Sequence, residues 1–104
     1  MAGEQQPGVA TPVAEPMTKA RHAPRYKVFV HNDPITSMEF VMLILTSVFG
    51  LEHARAKAVM LEAHNDDIAF VCALSLEQAE FRVDQAHSRA RAVGYPLTFT
   101  YEPE

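Results

Sequence analysis

The triplet His-Asn-Asp occurs twice, as His31-Asn32-Asp33 within VFVHNDPITSMEF and as His64-Asn65-Asp66 within MLEAHNDDIAF. Each offers an imidazole, a carboxamide and a carboxylate in three successive residues, able to ligate a metal, move protons or hold a hydrogen-bonding ligand. His31, Asp33, His64 and Asp66 are a mixed nitrogen and oxygen set that a divalent metal accepts. Neither triplet, however, has the spacing of HExxH or of paired CxxC, and a lone HxD is common by chance. Hydrolysis through His64 and Asp33 needs a nucleophile or an oriented water. Ser37 is taken up by a helix start and Cys72 lies in an apolar run, and no G-x-S-x-G elbow or glycine-rich phosphate loop is present. Spacing alone favours structural punctuation: Asn-Asp-Pro is turn chemistry, and His-Asn-Asp-Asp reads as a helix end.

The elements that must position these groups fit in one small domain. The 104 residues are 48% hydrophobic, enough for a packed core without disulfides or a structural metal. The single cysteine, Cys72 in IAFVCAL, reads as a buried thiol in a reducing compartment. A net charge of −4 and a pI near 5.7 argue against general nucleic-acid binding, which relies on neutralising phosphates. No apolar stretch approaches the ~20 residues of a membrane span, and no signal-peptide segment opens the chain, so the expectation is a cytoplasmic protein.

Residues 1–24 hold four of the seven prolines and no apolar period, which predicts a disordered N-terminal arm preceding a folded core over 25–104. YKVFV, Tyr26 to Val30, reads as a strand that HNDPIT breaks. Thr36 and Glu39 fit a capping box opening a helix. On it, Met38, Val41, Met42, Leu45 and Phe49 form one apolar stripe and Phe40, Leu43 and Ile44 a second, predicting burial against two neighbours. Gly50 stops this helix, and LEHARAKAVMLEAHN forms the next, with Met60, Ala63 and His64 on one face. IAFVCAL reads as an inner strand, and Ser75 with Gln78 as a second capping box. Leu76, Ala79, Val83, Ala86, Ala90 and Val93 then step as a one-sided helix, and PLTFTY alternates as a last strand. The predicted architecture is α+β in the order β-α-α-β-α-β, with the helices on one face of a small sheet.

The blocks YKVFVHND, T-x-MEFV, A-x-x-x-MLEAH, VC, AEF-x-V and PL-x-x-T-x-E, in this order over residues 26–101, resemble the ClpS family of adaptors in the bacterial N-end rule. The resemblance implies a three-stranded antiparallel sheet with three helices, similar to the C-terminal domain of ribosomal protein L7/L12. It also implies an adaptor rather than an enzyme, without metal or cofactor. Such an adaptor binds a free α-amine together with a bulky apolar first side chain, and delivers the substrate to a Clp AAA+ unfoldase of the ClpA or ClpC type. By motif, Asn32 and His64 accept hydrogen bonds from the amine and Asp33 adds charge. Binding then weakens as acid protonates the imidazole, below about pH 6.5 for an ordinary histidine. Thr36, Met38, Val41, Met60, Ala63 and Leu97 line the apolar pocket, with Met38 as the gate. Glu77, Phe81 and Arg82 on the third helix face the N-terminal domain of the unfoldase; by charge pattern alone they are a solvated face. Two departures stand out. Pro34 occupies a position where many members carry a second acid, which implies a weaker amine site or, alternatively, an unfoldase-binding domain with altered or lost peptide specificity. Ala63 is smaller than the usual aliphatic and implies a roomier pocket.

Overall fold

The computed structural model describes residues 23–104. The predicted arm over 1–24 lies outside the described residues apart from Ala23 and Pro24, both exposed. The elements are β1 (Arg25–His31), α1 (Met38–Ser47), α2 (His53–Asp66), β2 (Ile68–Ser75), α3 (Leu76–Ala92) and β3 (Thr98–Pro103), which is the order expected from the sequence. The three strands form one antiparallel sheet ordered β2-β1-β3.

The apolar run IAFVCAL is therefore an edge strand and not the inner one; β1 is central. The pairing explains the misreading. Val28 faces Cys72 while Phe29 faces Phe70, so Val71 is an extra residue, a β-bulge. Ala69 and the bulged Val71 point toward the helices, and Cys72 and Leu74 take that side after the bulge. The phase change hides the alternation that marks a strand with one wet face. Ile68 and Phe70 lie on the outer face, where Phe70 meets Phe29 edge-on with centroids 6.1 Å apart.

The inner face carries Val28, Val30, Ala69, Val71 and Phe99, all buried against the helices. Ala79, Ala86 and Ala90 of α3 are fully buried; without bulk beyond Cβ they let the helix lie close to the sheet. Helix α1 rests mainly on α2. Of its two predicted stripes, Ile44 and Leu45 are buried, but Met38 and Leu43 are exposed, so α1 is covered on one side only. On α3, Leu76 and Val93 at the two ends of the stripe are also exposed.

The N-terminal cap of α1 is Ser37, whose Oγ accepts the Phe40 N–H at 3.1 Å, and not Thr36. Thr36 is drawn back by Asp33, to which it donates both its amide and its hydroxyl. Ser75 caps α3 as expected, accepting the Gln78 N–H at 3.3 Å, whereas the Gln78 side chain turns to Arg82 instead of closing the box. The last turn of α1 has no basic residue of its own. Arg82 donates to the Val48 carbonyl at 2.6 Å and Arg89 to Ser47 Oγ at 2.9 Å, bringing positive charge from α3 to that helix end.

His87 ties α3 to β3: its Nε2 accepts the Phe99 N–H at 2.9 Å. Burial pushes its pKa below the ordinary imidazole value, and Arg91 adds to this against the opposing charge of Asp84. The bonded lone pair exists only on the neutral ring. Because the folded pKa is the lower one, the unfolded chain takes up this proton first as pH falls below about 6.5, and stability declines until the folded value is passed. Thermal melts are expected to show a lower midpoint at pH 5 than at pH 7.5, and His87→Ala to flatten the part of that slope due to this ring. An unchanged slope in the variant would refute the assignment.

Candidate functional site

The chain reversal after α2 brings the two triplets together. Asp67 adopts the left-handed conformation (φ 72°) at the C-terminal cap of α2, and its N–H returns to the Ala63 carbonyl at 2.8 Å. Short polar side chains tolerate this region better than most. The Asp67 carbonyl then accepts the Asn32 N–H at 2.9 Å, which pins the end of β1 beside the last turn of α2.

Between them, the first turn of α1 and the segment before β3 close a cavity of about 340 Å³. All nine residues assigned to the amine site and the apolar pocket line it: Asn32, Asp33 and His64 with Thr36, Met38, Val41, Met60, Ala63 and Leu97. Val30, His31 and Pro34 complete the wall. Val30 was legible as the inward residue of β1 next to the break, yet the resemblance did not name it. Leu97, Val30, Ala63 and Met60 are buried and present an apolar interior. Met38 stands half-exposed at the mouth, and Asn32 and His64 are exposed there.

Asp33 organises the loop. Its Oδ1 accepts the N–H groups of Ile35 (2.8 Å) and Thr36 (2.7 Å), and its Oδ2 accepts the Thr36 hydroxyl at 2.8 Å. Burial pushes the carboxyl up, but the three hydrogen bonds outweigh it and hold the pKa below the ordinary aspartate value. The carboxylate is thus ionised at neutral pH and keeps acceptor capacity on Oδ2. His64 lies in the last turn of α2, at the negative end of the helix dipole. His31 turns to the outer face, with Nε2 2.7 Å from Thr100 Oγ1. Among the described residues no three His, Cys, Asp or Glu side chains gather as a metal would require, and no helix is long and apolar enough to cross a membrane. Cys72 is half-buried rather than buried, and desolvation raises its pKa. An apolar hole whose mouth holds one carboxylate, a carboxamide and an imidazole suits a ligand with a cationic donor next to a bulky apolar group.

The family model for the ATP-dependent Clp protease adaptor protein ClpS matches residues 21–100. The chain belongs to the ClpS family. It is similar to the adapter proteins ClpS of Desulfatibacillum aliphaticivorans, 37% identical over 88% of each chain, and of Ruegeria sp. (strain TM1040), 42% identical over 83% of this chain and 76% of the relative. Among solved structures, Agrobacterium tumefaciens ClpS2 bound to L-phenylalaninamide superposes with a TM-score of 0.75 at 35% identity, covering 80% of this chain and 100% of that one. These relatives are named as adaptors of a protease, not as the protease. Phenylalaninamide, the ligand of the A. tumefaciens protein, carries a free α-amine and a bulky apolar side chain.

The residues expected to face an unfoldase lie apart from the cavity, on α3. Glu77 and Phe81 are one helical turn apart and exposed, Phe81 to 61%. Arg82 is half-buried: its guanidinium donates to the Val48 carbonyl at the end of α1 and to Gln78 on its own helix.

Proposed function

We infer that the cavity takes the first residue of a polypeptide bearing a destabilising N-terminus, with the α-amine at its mouth and the side chain inside. The carrying observation is that residues from β1 and the loop after it, α1, α2 and the segment before β3 close one hole whose buried lining is apolar and whose polar groups stay exposed or half-buried. Asn32 and His64 accept from the amine, and the ionised Asp33 supplies the opposite charge. An internal peptide N–H offers neither the charge nor the number of donors, so the site selects chain ends. Glu77 and Phe81 form the exposed part of the surface offered to the N-terminal domain of a ClpA- or ClpC-type unfoldase in the cytoplasm. Arg82 shapes that surface by fixing α3 to α1.

Calorimetric titration with a Phe-initiated peptide and its N-acetylated form tests this. Acetylation removes the charge and two donors, and an affinity loss of roughly 100-fold or more is expected. Equal binding of the two peptides would overturn the reading. A second reading, an unfoldase-binding modulator with altered N-terminal specificity, draws on Pro34, which among the described residues leaves Asp33 as the one carboxylate lining the cavity. Retained unfoldase binding with no affinity for any free N-terminus would favour it.

A further inference from the structure

A second concavity lies on the other side of the first turn of α1. Ser37, Glu39, Phe40 and Leu43 form one wall and Val93 and Tyr95 the other, enclosing about 370 Å³ of shallow groove. Its floor is the Phe40–Tyr95 ring pair, with centroids 5.0 Å apart. Its flanks are Leu43 and Val93, 53% and 58% exposed. One exposed aliphatic side chain is ordinary, but two converging on a pair of aromatic rings make a patch.

The groove and the cavity share both of their dividing walls. Along the N-terminal half of α1, Met38 and Val41 line the cavity while Phe40 and Leu43, with the cap residue Ser37, line the groove. In the segment Tyr95-Pro96-Leu97, Leu97 lines the cavity and Tyr95 the groove. On the path past half-exposed Met38, a polypeptide whose first side chain fills the cavity crosses that same part of α1. A helix with its side chains is about 10–12 Å across, and an extended chain advances about 3.3–3.6 Å per residue. The chain therefore reaches the groove some three to five residues after its first.

We propose that this groove is a second subsite for the bound polypeptide, taking an apolar side chain about three to five residues after the N-terminal one. This rests on the cavity binding the first residue, and it makes the adaptor read a short segment instead of a single residue. Apolar residues in that window raise affinity, and polar ones leave only the first-residue site.

The test is equilibrium titration of three ligands: phenylalaninamide, Phe-Ser-Ser-Leu-Leu-Ser-Gly and the same peptide with both leucines replaced by serine. The leucine peptide is expected to bind roughly five-fold more tightly than the serine peptide. In the double variant Leu43→Gln/Val93→Ser that advantage disappears while phenylalaninamide affinity is unchanged; both positions are exposed, and a circular dichroism melt checks folding. Equal affinity of the two peptides for the unaltered protein overturns the proposal and leaves the first-residue site standing, as does an advantage that survives in the double variant. Failure of phenylalaninamide to bind the unaltered protein overturns the first-residue reading and this inference with it. If the variant changes only self-association in sedimentation, or only unfoldase binding, the groove serves a second copy or the unfoldase, and the proposal falls.

Discussion

Replacing Asp33 by alanine is expected to lower stability by about 1–2 kcal/mol and to weaken binding of phenylalaninamide by roughly 30-fold or more. One side chain has both effects because it does two things. Its oxygens hold the Ile35 and Thr36 amides and the Thr36 hydroxyl, which sets the path from β1 into α1 and with it the placement of Thr36 and Met38 at the cavity. The same residue also lines the cavity, to which it brings its charge. Asp33→Asn separates the two roles. The amide keeps Oδ1 for the backbone donors, and Thr36 can turn its hydroxyl to accept from the new NH₂. Stability should therefore fall little, while affinity still drops by roughly ten-fold through the lost charge. Urea melts and calorimetry at pH 7 read both quantities. The folded pKa of Asp33 is depressed, so its contribution is fully present above the unfolded value of about 3.9 and is lost only as pH falls through the folded one. An Asn variant that binds like the unaltered protein would show that the charge plays no part.

The order of elements was legible because helix and strand periods differ and each break carries turn chemistry. VFV ends at Asn-Asp-Pro, MLEAH at Asn-Asp-Asp, and the third helix at Gly94. What the sequence concealed has specific causes. The bulge at Val71 changed the phase of β2, so an edge strand looked like an inner one. The competition between Asp33 and the helix for Thr36 moved the cap to Ser37, since a carboxylate accepts more strongly than an exposed Glu39 reaches back. His87 leaves no signal in the sequence because its partner is a backbone amide twelve positions away, which no side-chain pattern records. The cavity residues were legible through the resemblance, with one independent piece from spacing, the face shared by Met60, Ala63 and His64. The contact that joins the two triplets, the Asn32 amide on the Asp67 carbonyl, is between backbone atoms and leaves no mark in the letters. The triplets share their composition, yet they contribute differently: all three residues of the first line the cavity, with the His31 ring turned to Thr100, and His64 alone does so from the second.

Enlarging Ala63 is expected to change which N-terminal residues bind without disturbing the rest of the fold. Ala63 is buried on the inward face of α2, and it lines the cavity beside Met60 and His64. A valine there narrows the hole and should weaken a Trp-initiated peptide more than a Phe-initiated one. A leucine fills enough of the space to exclude aromatic side chains, with affinity for Phe-initiated peptides falling roughly 100-fold. The amine groups at the mouth are untouched, so residual binding of a Gly- or Ala-initiated peptide should not change. Stability supplies the internal control. A side chain that grows into an empty cavity adds buried contact and leaves the melting midpoint level or higher, whereas one forced into the packed core costs about 1–3 kcal/mol. The surface around Glu77 and Phe81 lies on α3, so binding to an unfoldase N-terminal domain should be preserved in both variants. Undiminished binding of Phe- and Trp-initiated peptides by a folded Ala63→Leu protein would mean that the first side chain does not enter this cavity. Loss of binding with an unchanged melt would place that side chain against α2 at Ala63, and would make the small residue at this position the reason for a wide pocket.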